Sequence, residues 1–203
     1  DVYKRQVERN GKQYQVKLET QFPLNGIISI TISGKDCSKI AIRHPAWSSG
    51  VKVKKNGREI FCERSESGYI LVDLDTQEIN RIDLEFQMEP IVIAANRKIS
   101  YDARKAAIIM GPLLYCFESI DNGSEIEELG LYAQGELETK RNSIAGKEIN
   151  TIYAKGTRRR ELEGDTLYGV YQEMKEDVKL TAIPYFLWNN RGEGEMKVWI
   201  PVE

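Results

Sequence analysis

The sequence predicts an all-β protein built from two consecutive antiparallel β-sandwich domains, residues 7–95 and 96–203. Three observations carry this. Apolar residues recur with period two in short runs, the spacing of strands that bury one face. Gly, Asn, Asp, Pro or Ser bounds these runs at short intervals, as the turns of a sandwich require. The alternation stops around 90–104 and resumes after it, which marks a change of domain. There are no heptads, no repeat of fixed period and no convincing long amphipathic helix.

In the first domain, Tyr14, Val16 and Leu18 alternate, as do Ile28, Ile30 and Ile32, with the turn-prone Pro23-Leu24-Asn25-Gly26 between them. This reads as an antiparallel strand pair. Further strands are expected at 39–43, 51–54, 68–74 and 81–86. Asn56-Gly57 supplies the positive φ angles of a two-residue hairpin between 51–54 and 59–61. In the second domain, strands are expected at 106–110 and 113–117 on either side of Gly111-Pro112. Residues 119–163 are poor in apolar residues and read as long loops around short strands at 129–133 and 149–153. Regular patterning returns at 166–171, 178–183 and 195–201, where Met196, Val198 and Ile200 alternate with Lys197 and Trp199.

The first six residues, Asp1-Val2-Tyr3-Lys4-Arg5-Gln6, match a read-through of the transposon end used in sequencing libraries. They are set aside from the fold and expected to be disordered or loosely attached; the other reading is an ordinary polar leader strand.

With 41% hydrophobic and 30% charged residues, a chain of 203 can bury a real core as one domain or two small ones. The 29 Lys and Arg nearly balance 31 Asp and Glu, leaving a net charge of -2. That offers no field for nucleic acid or an anionic membrane, so neither is an expected partner. No apolar run reaches the length that spans a bilayer, and no basic start precedes an apolar segment of the signal-peptide kind. Cys37, Cys62 and Cys116 are odd in number and far apart. A disulfide framework is therefore not expected, and a reducing, cytoplasmic setting is slightly favoured.

Three separated segments carry a resemblance. They are Ile40-Ala41-Ile42-Arg43-His44-Pro45-Ala46-Trp47, Ala107-Ile108-Ile109-Met110-Gly111-Pro112-Leu113-Leu114-Tyr115-Cys116-Phe117-Glu118, and Ile183-Pro184-Tyr185-Phe186-Leu187-Trp188-Asn189-Asn190-Arg191-Gly192 followed by Gly194-Glu195-Met196-Lys197-Val198-Trp199. Taken in order, they resemble the C-terminal half of the bacterial glycoside hydrolase family 127, a former domain of unknown function that includes β-L-arabinofuranosidases. Glu193 stands where a proline is common. The resemblance implies an N-terminal (α/α)6 barrel carrying the active site, followed by two β-sandwiches, with this chain beginning after the barrel. It also implies a zinc-bound cysteine nucleophile in that barrel, assisted by a glutamate acid/base, so no cofactor is expected here. The implied partners are the barrel of the same polypeptide, arabinose-containing glycans through the parent enzyme, and a second copy in a homodimer.

The residues themselves suggest no catalytic site. Retaining glycosidases need two carboxylates about 5 Å apart, and a pair could sit among Glu118, Asp121, Glu125, Glu127 and Glu128, although 125–128 reads better as a solvated loop. The single cysteines lack zinc-site spacing. Cys116, between Tyr115 and Phe117, reads as a buried hydrophobe. His44 is the only histidine and reads as a strand-end residue before Pro45. Arg158-Arg159-Arg160 reads as a charged surface turn. Trp188, Asn189, Asn190 and Arg191 combine an aromatic ring, amides and a guanidinium in one loop. That set suits sugar contact or docking onto the barrel, and docking is preferred because an interface alone explains such a loop. The function expected is thus a non-catalytic piece, inactive by itself, that supports or docks onto the barrel. The alternative is a carbohydrate-binding or dimerisation module.

Overall fold

The structure, a computed structural model, describes residues 1–76, 78–159, 167–170 and 174–203. Its elements are nearly all strands, all the named pairings are antiparallel, and the chain divides into two compact units, Asp1–Glu89 and Pro90–Glu203.

The first unit holds β1 (Val2–Arg9), β2 (Lys12–Thr20), β3 (Ile27–Ser33), β4 (Lys39–Arg43), β5 (Val51–Lys55), β6 (Arg58–Ile60), β7 (Tyr69–Asp73) and β8 (Ile79–Phe86). Six strands form one sheet in the order β1-β2-β3-β8-β5-β6, and β4 pairs with β7 in a second. Period-two alternation turns Ile30, Ile32, Val53, Ile82, Leu84 and Phe86 of the larger sheet onto Ile70 and Val72 of the smaller. The register follows from that shared face: Leu18 stands opposite Ile30, Ile30 opposite Ile82, and Val53 opposite Leu84. Gly26 permits the close approach that ends β8, since a Cβ there would lie 2.2 Å from the Phe86 carbonyl oxygen. The Asn56-Gly57 hairpin forms as its sequence implies, with φ of 50° and 80°.

The loose attachment expected of residues 1–6 does not occur. Residues 2–6 belong to β1, which pairs with β2 along its whole length, from Val2 opposite Glu19 to Arg9 opposite Lys12, and the Asp1 carbonyl accepts from the Thr20 N–H. The turn between them is a second Asn-Gly pair, Asn10-Gly11, with φ of 54° and 70°. The alternation of β2 thus serves a partner on each side.

The second unit contains β9 (Pro90–Ala94), β10 (Lys105–Met110), β11 (Leu113–Glu118), β12 (Leu129–Leu131), β13 (Glu138–Ile144), β14 (Lys147–Arg159), β15 (Lys175–Pro184), β16 (Met196–Lys197) and β17 (Ile200–Pro201). One sheet runs β12-β14-β15-β11-β10-β17, with β13 also on β14, β16 on β11 and β9 on β10. This second sandwich is a single sheet folded over until its ends meet. Leu131 bridges Val202 in parallel, and the Glu203 N–H donates to the Leu131 carbonyl at 3.0 Å. Inside lie Ile108, Tyr115, Phe117, Leu129, Leu131, Ile152, Leu180 and Ile200, each 1% exposed or less.

Five sequence expectations need correction in this unit. The boundary falls at 89/90 instead of 95/96, because 90–94 pairs with β10 from Met110–Pro90 to Ala106–Ala94; the lapse in alternation is a connection inside the second domain. Residues 119–163 are not mostly loop. They contain the β13–β14 hairpin, and β14 is 13 residues long. Its buried positions include Thr151, Ala154, Gly156 and Thr157, small or polar residues that leave no apolar stripe in the sequence. Gly156 is required there, since a Cβ would lie 2.1 Å from the Gly130 carbonyl oxygen. Arg158 and Arg159 are strand residues of β14 rather than a surface turn, and Arg160 lies outside the described residues. The strand expected at 195–201 is split, its halves pairing with β11 and β10. Of that expected at 166–171, Thr166 and Tyr171 lie outside the described residues, while Leu167, Tyr168 and Val170 are exposed and form no strand.

Candidate functional site

Strand β15 stops at Pro184 (φ -56°, ψ 129°), and a 3-10 turn follows at Tyr185–Leu187. The sequence pattern treats Ile183 through Leu187 as one apolar strand. The turn instead separates those side chains: Leu187 points inward at 2% exposure, whereas Tyr185, Phe186 and Trp188 are 43%, 46% and 41% exposed. The rings of Tyr185 and Trp188 stack with centroids 6.3 Å apart and planes 18° apart. Asn189 then adopts a left-handed conformation, φ 62°, which asparagine tolerates better than most residues. Asn190 Nδ2 donates to the carbonyls of Leu187 at 3.0 Å and Trp188 at 3.1 Å, closing the turn on itself.

Beneath this aromatic surface lies a charged clamp. The Asn189 N–H donates to Glu118 Oε1 at 2.9 Å, and Arg191 donates to the other Glu118 oxygen. Arg191 also makes a two-pronged contact with Asp121, Nη1 to Oδ1 being 2.9 Å. The Glu118 side chain is 7% exposed and that of Arg191 is 20% exposed. The hydrogen bond to Asp121, followed by that to Glu118, raises the already high pKa of the guanidinium and keeps it charged. Asn122 extends the clamp: its amide bonds the Glu118 and Thr181 carbonyls, and its own carbonyl accepts from Arg158. Arg191 was expected to reach toward another domain, yet its terminal nitrogens are engaged here. Of the four loop candidates, Asn190 and Arg191 spend their side chains on bonds within the turn and clamp, whereas Trp188 offers a large, 41% exposed ring.

Three of the five acidic residues considered as a catalytic pair are held by cations. Glu118 and Asp121 share Arg191, and Glu127 bonds Lys197. A separate groove of about 620 Å³ contains Tyr132, Tyr153, Glu138 and Asp177. There Asp177 accepts from the Tyr132 hydroxyl at 2.8 Å, Glu138 pairs with Lys140 and Lys179, and Lys179 sits 4.2 Å over the Tyr153 ring.

Among the described residues, no group of three His, Cys, Asp or Glu side chains is gathered to hold a metal. Cys37 and Cys62 pack on the first core, whereas Cys116 is fully buried and free in the second. Burial, followed by the nearby Glu118 charge, pushes the Cys116 thiol up to about 12. Burial likewise raises the Cys62 thiol. His44 is buried with its ring edge-on to Phe86, and its main-chain N–H donates to the Gly68 carbonyl at 2.9 Å.

Comparison with known proteins places these features. Residues 3–88 match the family model for the β-L-arabinofuranosidase, GH127 middle domain, and residues 90–201 match that for the glycoside hydrolase family 127 C-terminal domain. A non-reducing end β-L-arabinofuranosidase from Bifidobacterium longum subsp. longum is 28% identical over 198 residues, covering 91% of this chain and 30% of that protein. A crystal structure of a GH127 β-L-arabinofuranosidase from Geobacillus stearothermophilus T6 superposes with a TM-score of 0.85 at 29% identity, over 98% of this chain and 32% of the other. A further structure described as a glycoside hydrolase gives 0.82 at 25% identity, over 99% and 34%. The chain thus spans about a third of the length of these relatives. It belongs to glycoside hydrolase family 127, whose middle and C-terminal domains it carries.

Proposed function

We propose that this chain is the non-catalytic C-terminal part of a β-L-arabinofuranosidase-like glycoside hydrolase, and that it supports and docks onto an (α/α)6 catalytic barrel in the rest of the polypeptide. The observation that carries this reading is coverage: the two matched domains account for the whole fold, yet for only 30% of the arabinofuranosidase relative. Zinc, the acid/base glutamate and contact with arabinose-containing glycans are assigned to the barrel. The docking surface is the aromatic group of Tyr185, Phe186 and Trp188, held in place by the Glu118–Arg191–Asp121 clamp. Large rings presented on a rigid turn are the residue types that anchor interfaces.

The test is Trp188→Ala, read by thermal melts of the 203-residue chain and of the intact polypeptide. In the isolated chain the half-exposed ring leaves little burial to lose, so stability stays nearly unchanged. In the intact protein, attachment weakens by about 2–4 kcal/mol, and the isolated chain does not hydrolyse a p-nitrophenyl arabinofuranoside with or without zinc. A large loss in the isolated chain refutes docking. The stacked, half-exposed Tyr185–Trp188 pair also supports a second reading, sugar stacking. Unchanged melts in both proteins, with saturable quenching of tryptophan fluorescence by arabino-oligosaccharides, would put that reading in its place.

A further inference from the structure

The two sheets of the first domain are unequal, and the mismatch leaves a slot. Six strands face two, so β1 and β2 overhang the place where the smaller sheet stops. Among the described residues β4 pairs with β7 alone. Alternation in an antiparallel ladder shows which groups are left over. The His44 N–H donates to the Gly68 carbonyl and the Leu74 N–H to the Ser38 carbonyl, which puts the even-numbered residues of β4 in the bonded positions. Lys39, Ala41 and Arg43 therefore turn their main-chain N–H and C=O groups to the open side.

A groove of about 650 Å³ lies along that side, with Tyr14 and Val16 of β2 on one wall and Ile40 and Ala41 of β4 on the other. Tyr3 and Val7 of β1 share the face of Leu18 and Tyr14, and they are 59% and 41% exposed. Backbone donors and acceptors thus stand in a row beside an apolar floor that no other described strand of this domain covers. These are the two requirements of strand addition.

We infer that one extended segment of the polypeptide outside residues 1–203 lies in this slot as a third strand beside β4, its apolar residues closing over Tyr14 and Val16. The inference rests on the reading that the chain is part of a longer enzyme. A second copy does not fit: bringing its β4 alongside would carry its overhanging β1–β2 into the sheet that already covers β4. A single strand has no such overhang. It matches the five residues of β4, and the relatives, of which this chain covers 30–34%, have ample chain to supply it.

Hydrogen exchange at 39–43 in the 203-residue chain and in the intact polypeptide tests the inference. The amides of Lys39, Ala41 and Arg43 should exchange about 100-fold more slowly in the intact protein, while those of Ile40 and Ile42 change little. Ala41→Pro removes an N–H that β7 does not use. It should leave the isolated chain folded and abolish the added protection in the intact protein. Equal rates in the two proteins overturn the inference, as does protection of the isolated chain that grows with its concentration, which would reveal a second copy. Exchange at 185–188 separates this result from docking. Protection there without protection at 39–43 removes the added strand alone, and the converse removes docking alone. A gene encoding only residues 1–203 overturns both.

Discussion

The two domains solve the edge problem of a β-sheet in opposite ways. The second folds one sheet over until Leu131 meets Val202, and Glu203 secures the seam with Arg159 and Lys175. The first sets six strands on two and leaves the β4 edge and the β1–β2 floor open. A closed sheet removes its own edges, whereas an open one needs another element to cover them. The difference teaches where each domain draws its stability. The second domain buries Tyr115, Phe117, Leu131 and Ile152 at 1% exposure or less, whereas the first domain's core thins toward β1, with Val16 and Leu18 of β2 half-buried.

The largest expected effect measures this asymmetry directly. Phe117→Ala removes a ring with 0% exposure and should cost the second domain about 3–5 kcal/mol. Val16→Ala should cost the first about 1 kcal/mol, because Val16 is only half-buried, packing on the core on one side and bordering the slot on the other. Urea denaturation followed by hydrogen exchange of peptides from each domain keeps the two losses apart. Equal losses would break the comparison, showing that the floor at Val16 is covered in solution.

The first domain was also the more legible of the two. Outside β1, which was missed, β3, β4, β5 and β8 alternate in sequence and the hairpin carries Asn56-Gly57, so local chemistry and burial point the same way there. In β14 they do not. Thr151, Gly156 and Thr157 are buried because neighbouring strands approach closely, a tertiary demand that hydrophobic periodicity cannot register. The candidate site was legible only in part. Three aromatic residues after Pro184 mark a surface turn once the strand is known to stop at the proline. The clamp beneath joins Arg191 to residues 70 and 73 positions away, and neither motif nor spacing signals such a pairing. Composition placed Trp188 and Arg191 together as a contact surface, yet the bonds to Glu118 and Asp121 divide them: the ring is exposed and the guanidinium is drawn in.

The seam of the second domain gives an intermediate effect with a definite pH dependence. The Glu203 side chain is 9% exposed, with Lys175 Nζ at 2.7 Å and Arg159 Nη2 at 2.9 Å. The Lys175 hydrogen bond, followed by that of Arg159, holds its carboxyl below the ordinary value of 4.5. A carboxylate with a depressed folded pKa contributes stability fully above its unfolded pKa and loses it as pH falls through the folded one. Glu203→Gln should therefore destabilise the second domain at pH 7 by on the order of 1–2 kcal/mol, and the gap between variant and parent should narrow below pH 4.5. Thermal melts at pH 7 and pH 3.5 provide the check. A gap that is constant with pH would show that Glu203 acts by packing alone, leaving the backbone bridge as the whole closure.

The smallest effect concerns the three hairpin turns that share one backbone conformation. Asn10-Gly11, Asn56-Gly57 and Ala145-Gly146 have φ pairs of 54° and 70°, 50° and 80°, and 49° and 73°. The third places alanine where an L-residue is penalised because its Cβ crowds the carbonyl oxygen, a cost that asparagine meets more easily through local hydrogen bonding. Ala145→Asn should thus stabilise the second domain by about 0.5–1 kcal/mol, read as a rise in its melting temperature and slower exchange in the β13–β14 hairpin. Asn56→Ala in the first domain is the matched reversal, and it should lose more than Ala145→Asn gains. Asn56 Oδ1 accepts the Arg81 N–H at 2.8 Å, and its Nδ2 donates to Asp75 at 2.9 Å, so the asparagine ties its turn to the sandwich as well as fitting it. A gain at 145 equal to the loss at 56 would mean that those tertiary bonds contribute nothing. No gain at 145 would mean that the turn in solution leaves the left-handed conformation, and with it the register of β13 on β14.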